Sequence, residues 1–358
     1  MMFKKKVLTI ALSLCLIIPS FNAKAAITTS TNDQTQIKSV ITKYFDNQLI
    51  SIKLQKPEDN DSIVSNKSFK EYSNLSNKLL AEWYKKIDQN LINYKLYLDF
   101  NNVTINKTQC TVTATKGLDL VFEKSKDVTQ QVRSEKHSIT LEKINNKWVI
   151  NNDIDNTEQD YSLNNTKSGV QETSISDLNE KTQILQNKLD NIEDGVKNFN
   201  NMTVQNNTLN TTKATLYRGY NGKAAADYAV DHFESAEDQP GNDCTSFVSR
   251  CINAGGIPTT STWKLGSNAW IRVIELRNYL VNNGIANEYS ERNNCVRGDL
   301  IQLQHPNGIF GHSVIITYID PYGTVCVSSH TGAHKNYALY NFYPTSNWTG
   351  IRYLKLTN

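Results

Sequence analysis

One short stretch of the chain combines a nucleophilic residue type with a helix start. Residues 241–256 read GNDCTSFVSRCINAGG, in which Cys244 follows a turn and opens an apolar-periodic helix that a glycine pair closes. Asp243 stands where an N-cap oxygen is wanted, and the positive end of the helix dipole is expected to lower the pKa of the Cys244 thiol. The stretch therefore predicts a reactive thiol, although a lone cysteine at a helix start is more often a small buried apolar residue.

Two histidines downstream favour a reactive thiol at Cys244 over a small buried apolar residue. Thiol hydrolysis requires a base beside the sulfur and a third group that orients the base. His312 begins the strand-like run GHSVIIT, and His330 ends the next run, VSSHT. If these runs are antiparallel neighbours joined by the turn at 320–323, both histidines reach the same edge of the sheet. The order of cysteine helix, His-strand and strand-His predicts a cysteine hydrolase site.

The first residues of the 358-residue chain have the layout of a signal peptide. Three lysines precede an apolar run at 7–18, which is shorter than the roughly 20 residues that a membrane span requires. A small-x-small cleavage site at 23–25 predicts removal of residues 1–25 and a secreted or cell-wall-associated product that begins near Ala26. The leader carries four lysines and no acids, so the formal net charge of +3 becomes about −1. Nothing in this balance points to a nucleic-acid partner.

The remaining cysteines are too few for a disulfide framework. Five are left after removal of the leader, so at least one thiol is free or paired between chains. No CxxC spacing occurs, and we expect no metal and no organic cofactor. Cys295 and Cys326 are expected to be paired or buried, and the sequence does not choose between these states.

The amino-terminal part, residues 30–155, is expected to be a small α+β accessory domain. Apolar residues recur with helical spacing over 33–50 and again over 75–87. The period then changes to two in four segments, the last two joined at Asn145-Asn146. Two helices followed by a curled four-stranded antiparallel sheet resemble the cone-shaped folds of the nuclear-transport-factor type. We expect this domain to serve binding, dimerisation or spacing.

Residues 156–215 are expected to be a helical, low-complexity linker. Asn, Thr, Gln and Ser dominate it, and Leu178, Leu185, Ile192 and Phe199 lie seven residues apart. Three heptads fit a short coiled coil, which would allow self-association through 178–199. They fit equally a single amphipathic helix lying on a neighbouring domain.

The carboxy-terminal part, residues 216–358, contains the candidate site, with helices expected before an antiparallel sheet. The blocks DCTSFVSRCINAGG, GDLIQL, GHSVIIT and VSSHT resemble, in the right order, those of a bacterial family called the putative amidase domain. The resemblance covers about residues 217–356. It implies a papain-like cysteine hydrolase fold related to NlpC-type cell-wall peptidases and CHAP amidases.

By position, the resemblance implies Cys244 as the nucleophile, His312 as the general base and His330 as the residue that orients His312. Asp243 would cap the helix and shape the site, and the Cys244 backbone N–H would contribute to an oxyanion hole. His334 or Asn336 could take the third role instead.

The resulting prediction is an exported cysteine-dependent amidase or peptidase that acts through an acyl-enzyme, most plausibly on peptidoglycan peptides. The same thiol could transfer the acyl group to another amine. The alternative hypothesis is a secreted surface or wall-binding protein whose papain-like domain catalyses no reaction. An intact Cys-His-His set favours the enzyme.

Overall fold

The computed structural model describes residues 31–156, 175–203, 219–235, 243–292, 295–344 and 348–356. The predicted leader at 1–25 and two stretches of the predicted linker, at 157–174 and 204–215, lie outside these ranges. Within them, the chain mixes α-helices with antiparallel strands, which confirms the α+β class.

The amino-terminal half contains the two helices and four strands expected from the periodicity. These elements are α1 (Thr31–Leu54), α2 (Lys67–Lys86), β1 (Leu91–Asn106), β2 (Gln109–Phe122), β3 (Gln130–Ile144) and β4 (Lys147–Asp155). Each strand pairs antiparallel with the next along the chain. The predicted turn at Asn145-Asn146 joins β3 to β4, and both asparagines have positive φ, 48° and 62°. Asparagine tolerates that conformation better than most residues, and it suits a two-residue hairpin turn.

The apolar spacing of the two helices becomes a buried face. Ile37, Ile41 and Phe45 of α1 are at most 1% exposed and pack on the inward residues of the strands. The side chain of Asn66 accepts a hydrogen bond of 3.0 Å from the Phe69 backbone N–H and so caps α2. The periodicity and this cap explain why helices form at these two positions.

Charged side chains also line the interior of this half. Lys116 of β2 and Glu135 of β3 form an ion pair of 2.5 Å with little exposure. His137 Nδ1 lies 3.0 Å from Asp153 Oδ1, and both residues are buried. Buried charges are tolerated only in such pairs, because each charge alone would lose its hydration.

The heptad segment forms two helices, α3 (Ile175–Asp190) and α4 (Ile192–Thr203). Leu178 belongs to the amino-terminal core, and the Phe199 ring lies 5.5 Å from the ring centroids of both Trp83 and Tyr343. The segment therefore packs on its own chain, as expected of an amphipathic helix, but it forms two helices where a single one was expected. Self-association through 178–199 stays a prediction.

The carboxy-terminal half alternates short helices with strands. Its elements are α5 (Gly222–His232), α6 (Asp243–Ala254), α7 (Asn268–Ile271), α8 (Val273–Asn282), β5 (Asn287–Tyr289), β6 (Leu300–Gln304), β7 (Phe310–Ile319), β8 (Val325–Ser329), β9 (His334–Ala338), α9 (Leu339–Phe342) and β10 (Gly350–Lys355). β7 and β8 are antiparallel neighbours, which confirms that expectation. Four elements were not predicted: α7, β5, β9 and α9.

β9 connects the two halves. It pairs antiparallel with β8 on one side and with β3 on the other, through Gln131–Lys335 and Val132–His334. In the described part of the chain, one sheet of ten strands results, with the path β1-β2-β3-β9-β8-β7-β6-β10-β5 and β4 paired to β3. The accessory half and the half with the candidate site therefore share a sheet.

A shared apolar core reinforces this junction. Trp83 and Phe122 of the first half pack in one cluster with Val314 and Tyr353 of the second half, and Phe199 of α4 joins them. The buried Trp83 indole N–H also donates 3.0 Å to the Tyr340 carbonyl. Each half keeps a further core of its own.

Within the described ranges, no helix combines the length and apolar character that a membrane crossing demands. The five cysteines expected to remain after leader removal are all buried. Burial, one of the alternatives left open for Cys295 and Cys326, is therefore what the structure shows for both.

Candidate active site

The helix that carries Cys244 is fixed by its apolar face. Phe247, Val248 and Cys251 of α6 are at most 1% exposed and pack on Leu300 and Ile315 of the sheet. Cys251, the second cysteine of this helix, is a buried small residue of the core. This packing brings the first turn of α6, with Cys244 as its second residue, against β7.

The end of α6 requires glycine for a steric reason. A Cβ added to Gly255 would lie 2.4 Å from the Tyr220 ring and 2.9 Å from the Ala225 side chain. The close approach of α5 to the end of α6 therefore depends on the first glycine of the pair.

The Cys244 thiol lies in a small polar environment and is 6% exposed. Its Sγ is 3.7 Å from Thr245 Oγ1, and the backbone N–H of Ser313 hydrogen-bonds to it. Thr245 Oγ1 in turn donates 3.2 Å to Ser313 Oγ. The first turn of α6 is thus tied to β7 at Ser313.

The expectation of a lowered thiol pKa was wrong for this conformation. Burial raises the pKa of Cys244, and the hydrogen bonds from Ser313 and Thr245 only partly offset that effect. The neutral thiol is therefore the resting form, and its reaction requires a base to take the proton.

His330 contacts the two helix ends that flank this thiol. Its Nδ1 lies 2.8 Å from Asp243 Oδ2 at the start of α6, although the angle departs from a linear hydrogen bond. Its Nε2 lies 2.9 Å from Ser235 Oγ and 3.0 Å from the His232 carbonyl oxygen at the end of α5. The imidazole also stacks on the Phe247 ring with centroids 4.1 Å apart.

The strand register separates His330 from His312. Ile315 of β7 lies opposite Ser328 of β8, and continuing that register places His330 opposite Ser313, on the α6 face. His312 precedes Ser313, so its side chain points to the other face, which it shares with its partner Leu303. The two histidines therefore reach the same edge, as expected, but on opposite faces.

The predicted contact between His330 and His312 is therefore absent from the described residues. Strand register explains the miss, because a shift of one residue turns a side chain to the other face.

His312 lies in an aromatic environment. Its ring is 5.9 Å from the Trp348 ring and 6.4 Å from the Phe342 ring. Burial lowers the pKa of His312 to about 3, and the neighbouring His334 and His305 add to that effect. The imidazole is therefore neutral at neutral pH, the form that can accept a proton.

His334, one of the expected alternatives for the third role, lies near His312. Its ring is 5.0 Å from the Phe342 ring, and its Nδ1 is 3.1 Å from Ser329 Oγ. Burial lowers its pKa to about 4, although Glu135 opposes the shift. Asn336, the other alternative, donates its backbone N–H to Ser328 Oγ at 3.3 Å.

Residues that the sequence reasoning missed hold β7 in place. The Gln302 amide donates 3.1 Å to Ser313 Oγ, and Arg352 donates 2.8 Å to the Gln302 oxygen. Gln302 falls within the block GDLIQL, and alternation along that strand could have placed it on the α6 face. Trp263 and Trp270 are at most 4% exposed and belong to the apolar core of this half. Among the described residues, no group of three His, Cys, Asp or Glu could hold a metal ion.

Comparison with known proteins supports the recognition made from the sequence. Residues 219–352 match the family described as a putative amidase domain. An uncharacterized protein of Bacillus subtilis (strain 168), YjcM, is 29% identical over 135 residues, which cover 33% of this chain and 32% of that protein. The chain thus spans about a third of the length of that curated relative. No solved structure matches.

Proposed function

Because residues 219–352 match an amidase family, we propose that the protein is a thiol-dependent amidase with Cys244 as its nucleophile. One observation carries the proposal. In the matched segment, Cys244 lies at the start of a buried helix, and its sulfur contacts the backbone N–H of Ser313 on β7. The match supports hydrolysis of a carbon–nitrogen bond, and the thiol mechanism is our addition.

In the proposed reaction, a base accepts the thiol proton as Cys244 attacks the amide carbonyl. The amine leaves with a proton from that base, and water activated by the same base then resolves the acyl-enzyme. The sequence assigns this role to His312, which lies on the face of the sheet opposite to α6, so the proposal requires a rearrangement of β7 that brings His312 to the thiol. His334 takes the third role in this proposal, because it lies beside His312 and His330 does not.

The proposed fold of residues 216–358 is papain-like. In support, the cysteine helix α6 packs on an antiparallel sheet in which β7 carries the candidate base. The nuclear-transport-factor resemblance of residues 30–155 stays a proposal of the same kind, supported by two helices on a four-stranded antiparallel sheet.

The proposed substrate is an amide bond in peptidoglycan peptides outside the cell. The support is the leader layout of residues 1–25 and the resemblance to cell-wall hydrolases. Export, a wall location and cleavage near Ala25-Ala26 are parts of the same proposal.

The test compares residues 26–358 with the Cys244→Ala variant for release of new amines from purified peptidoglycan. Release by the parent chain alone is the expected result, and mass spectrometry of the fragments would identify the bond. Absence of release, together with a thiol that an alkylating reagent does not label even slowly, would refute the enzyme and favour the wall-binding protein. Transfer to an added amine in place of hydrolysis would identify an acyl transferase.

A further inference from the structure

The contacts of His330 differ from those of a catalytic base. A base must direct a nitrogen at the thiol proton, at about 2.6–3.2 Å from the heavy atom in a productive complex. Nε2 of His330 is already occupied by Ser235 and the His232 carbonyl, and Nδ1 faces the Asp243 carboxylate at 2.8 Å. Stacking on Phe247 further fixes the ring plane.

These contacts join the end of α5 to the start of α6, two helices that also pack on each other through their apolar faces. The last carbonyl groups of a helix lack partners within it, and the His232 carbonyl at the end of α5 faces Nε2. Asp243 opens α6 and precedes Cys244 in the chain. Because Asp243 and His330 are at most 5% exposed, solvent competes little with their contact.

We infer that His330 and Asp243 form a clasp that positions the Cys244 thiol by holding the start of α6 to the end of α5. The clasp comprises His330, Asp243 and the His232 carbonyl. It acts on Cys244 through the backbone of α6, so His330 is a positioning residue and does not transfer the proton. This inference rests on the proposed function only for its effect on turnover.

The clasp complements the contact on the other side of the thiol. Ser313 holds Sγ from β7 through its backbone N–H, and Thr245 reaches Ser313 Oγ. With the clasp closed, the first turn of α6 is held from the sheet and from α5 at the same time. Loss of the clasp should loosen that turn, expose the sulfur and spoil its alignment with a substrate carbonyl.

The clasp and a base role predict opposite changes in thiol reactivity. Removing a base slows both alkylation of the thiol and amide hydrolysis. Opening the clasp makes alkylation faster, because a less buried thiol has a pKa closer to its ordinary value, and it makes hydrolysis slower. A purely structural residue would change the unfolding temperature and leave the pH profile of alkylation where it is.

The experiment measures iodoacetamide alkylation of Cys244 against pH, by mass spectrometry, in residues 26–358. The main variant is His330→Phe, which keeps a ring to stack on Phe247 and removes both nitrogens. The Asp243→Asn variant tests the other half, and His330→Gln tests rescue, since an amide can still donate to the His232 carbonyl. Ser235→Ala is the matched control, because Nε2 keeps its carbonyl partner there.

We expect His330→Phe to alkylate at least about 10-fold faster with the midpoint of its pH profile moved to lower pH. Hydrolysis should fall about 10- to 100-fold, the size expected for a misplaced reacting group. Asp243→Asn should follow in the same direction, His330→Gln should lie between, and Ser235→Ala should stay near the parent protein. If His330→Phe does not fold, Asp243→Asn and His330→Gln decide the question.

Slower alkylation in the His330 variants would assign His330 to proton transfer and overturn the clasp. Unchanged alkylation would overturn it as well, and so would faster alkylation with undiminished hydrolysis. If the parent protein hydrolyses no amide, the proposed function fails, but the alkylation rates alone still decide whether the clasp holds the thiol.

Discussion

Acid sensitivity of folding should arise from two buried histidines. His312 and His334 are 1% and 8% exposed, and burial lowers their pKa values to about 3 and about 4 from an ordinary value of 6.5. Between those values and 6.5, the unfolded chain binds protons that the folded chain does not. By linkage, their contribution to stability is complete above pH 6.5 and is lost as the pH falls below it.

The size of the effect follows from the pH interval. At pH 5 the unfolded histidine lies 1.5 units below its pKa of 6.5, while both folded histidines remain largely neutral. At about 1.4 kcal/mol per unit, each histidine should lower the free energy of unfolding by about 2 kcal/mol between pH 8 and pH 5. If the two sites titrate independently, the pair contributes about 4 kcal/mol.

The assay is urea unfolding followed by circular dichroism at pH 8 and pH 5. Other groups titrate over this range, so the informative quantity is the difference between the parent protein and the His312→Gln/His334→Gln variant. The variant should be less stable at pH 8, but its loss of stability down to pH 5 should be smaller by about 4 kcal/mol. The reasoning is refuted if both proteins lose the same free energy of unfolding over this interval.

Two further predictions concern the junction and the buried charges. Gln130→Ala should cost about 1–3 kcal/mol in urea unfolding, because the Gln130 oxygen accepts hydrogen bonds from Asn341 and from the β9 backbone. The half-buried neighbour variant Gln131→Ala is the control and should cost clearly less, and equal costs would contradict the role given to Gln130. Lys116→Met should cost about 3–5 kcal/mol, because it leaves Glu135 buried without its cation. Adding Glu135→Leu should restore much of that loss, and a double variant as unstable as the single one would show that the charge is not the cause.

The local signals in the sequence identified most of the individual elements. Apolar spacing was enough for α1, α2 and α6, because a helix buries residues three and four apart wherever it packs. The Asn145-Asn146 turn was predicted from residue type, because few residues accept its backbone conformation. These features depend on near neighbours in the chain.

What the sequence did not reveal depends on distant partners. β9 is five residues long and pairs through few bridges with β3, and its alternation is too short to stand out from a loop. The face of His312 depends on the register of β7, which turns Ser313 toward α6 and pairs His312 with Leu303, and the sequence does not give that register. The thiol pKa was misjudged because the helix dipole is a local effect, whereas burial of Cys244 depends on how β7 packs on α6.

Because β3 pairs with β9, the segment that matches the family is not a complete folding unit. A chain cut at residue 219, where the family match begins, would retain β9 but lose the strand and the Gln130 side chain that saturate its outer edge. The cut would also remove Trp83 and Phe122 from the shared core and leave an apolar patch beside that edge. An open edge next to exposed apolar surface is a template for intermolecular strand addition. The segment that matches the family would thus be prone to aggregate when expressed alone. A fusion of this segment to another protein should therefore include β3.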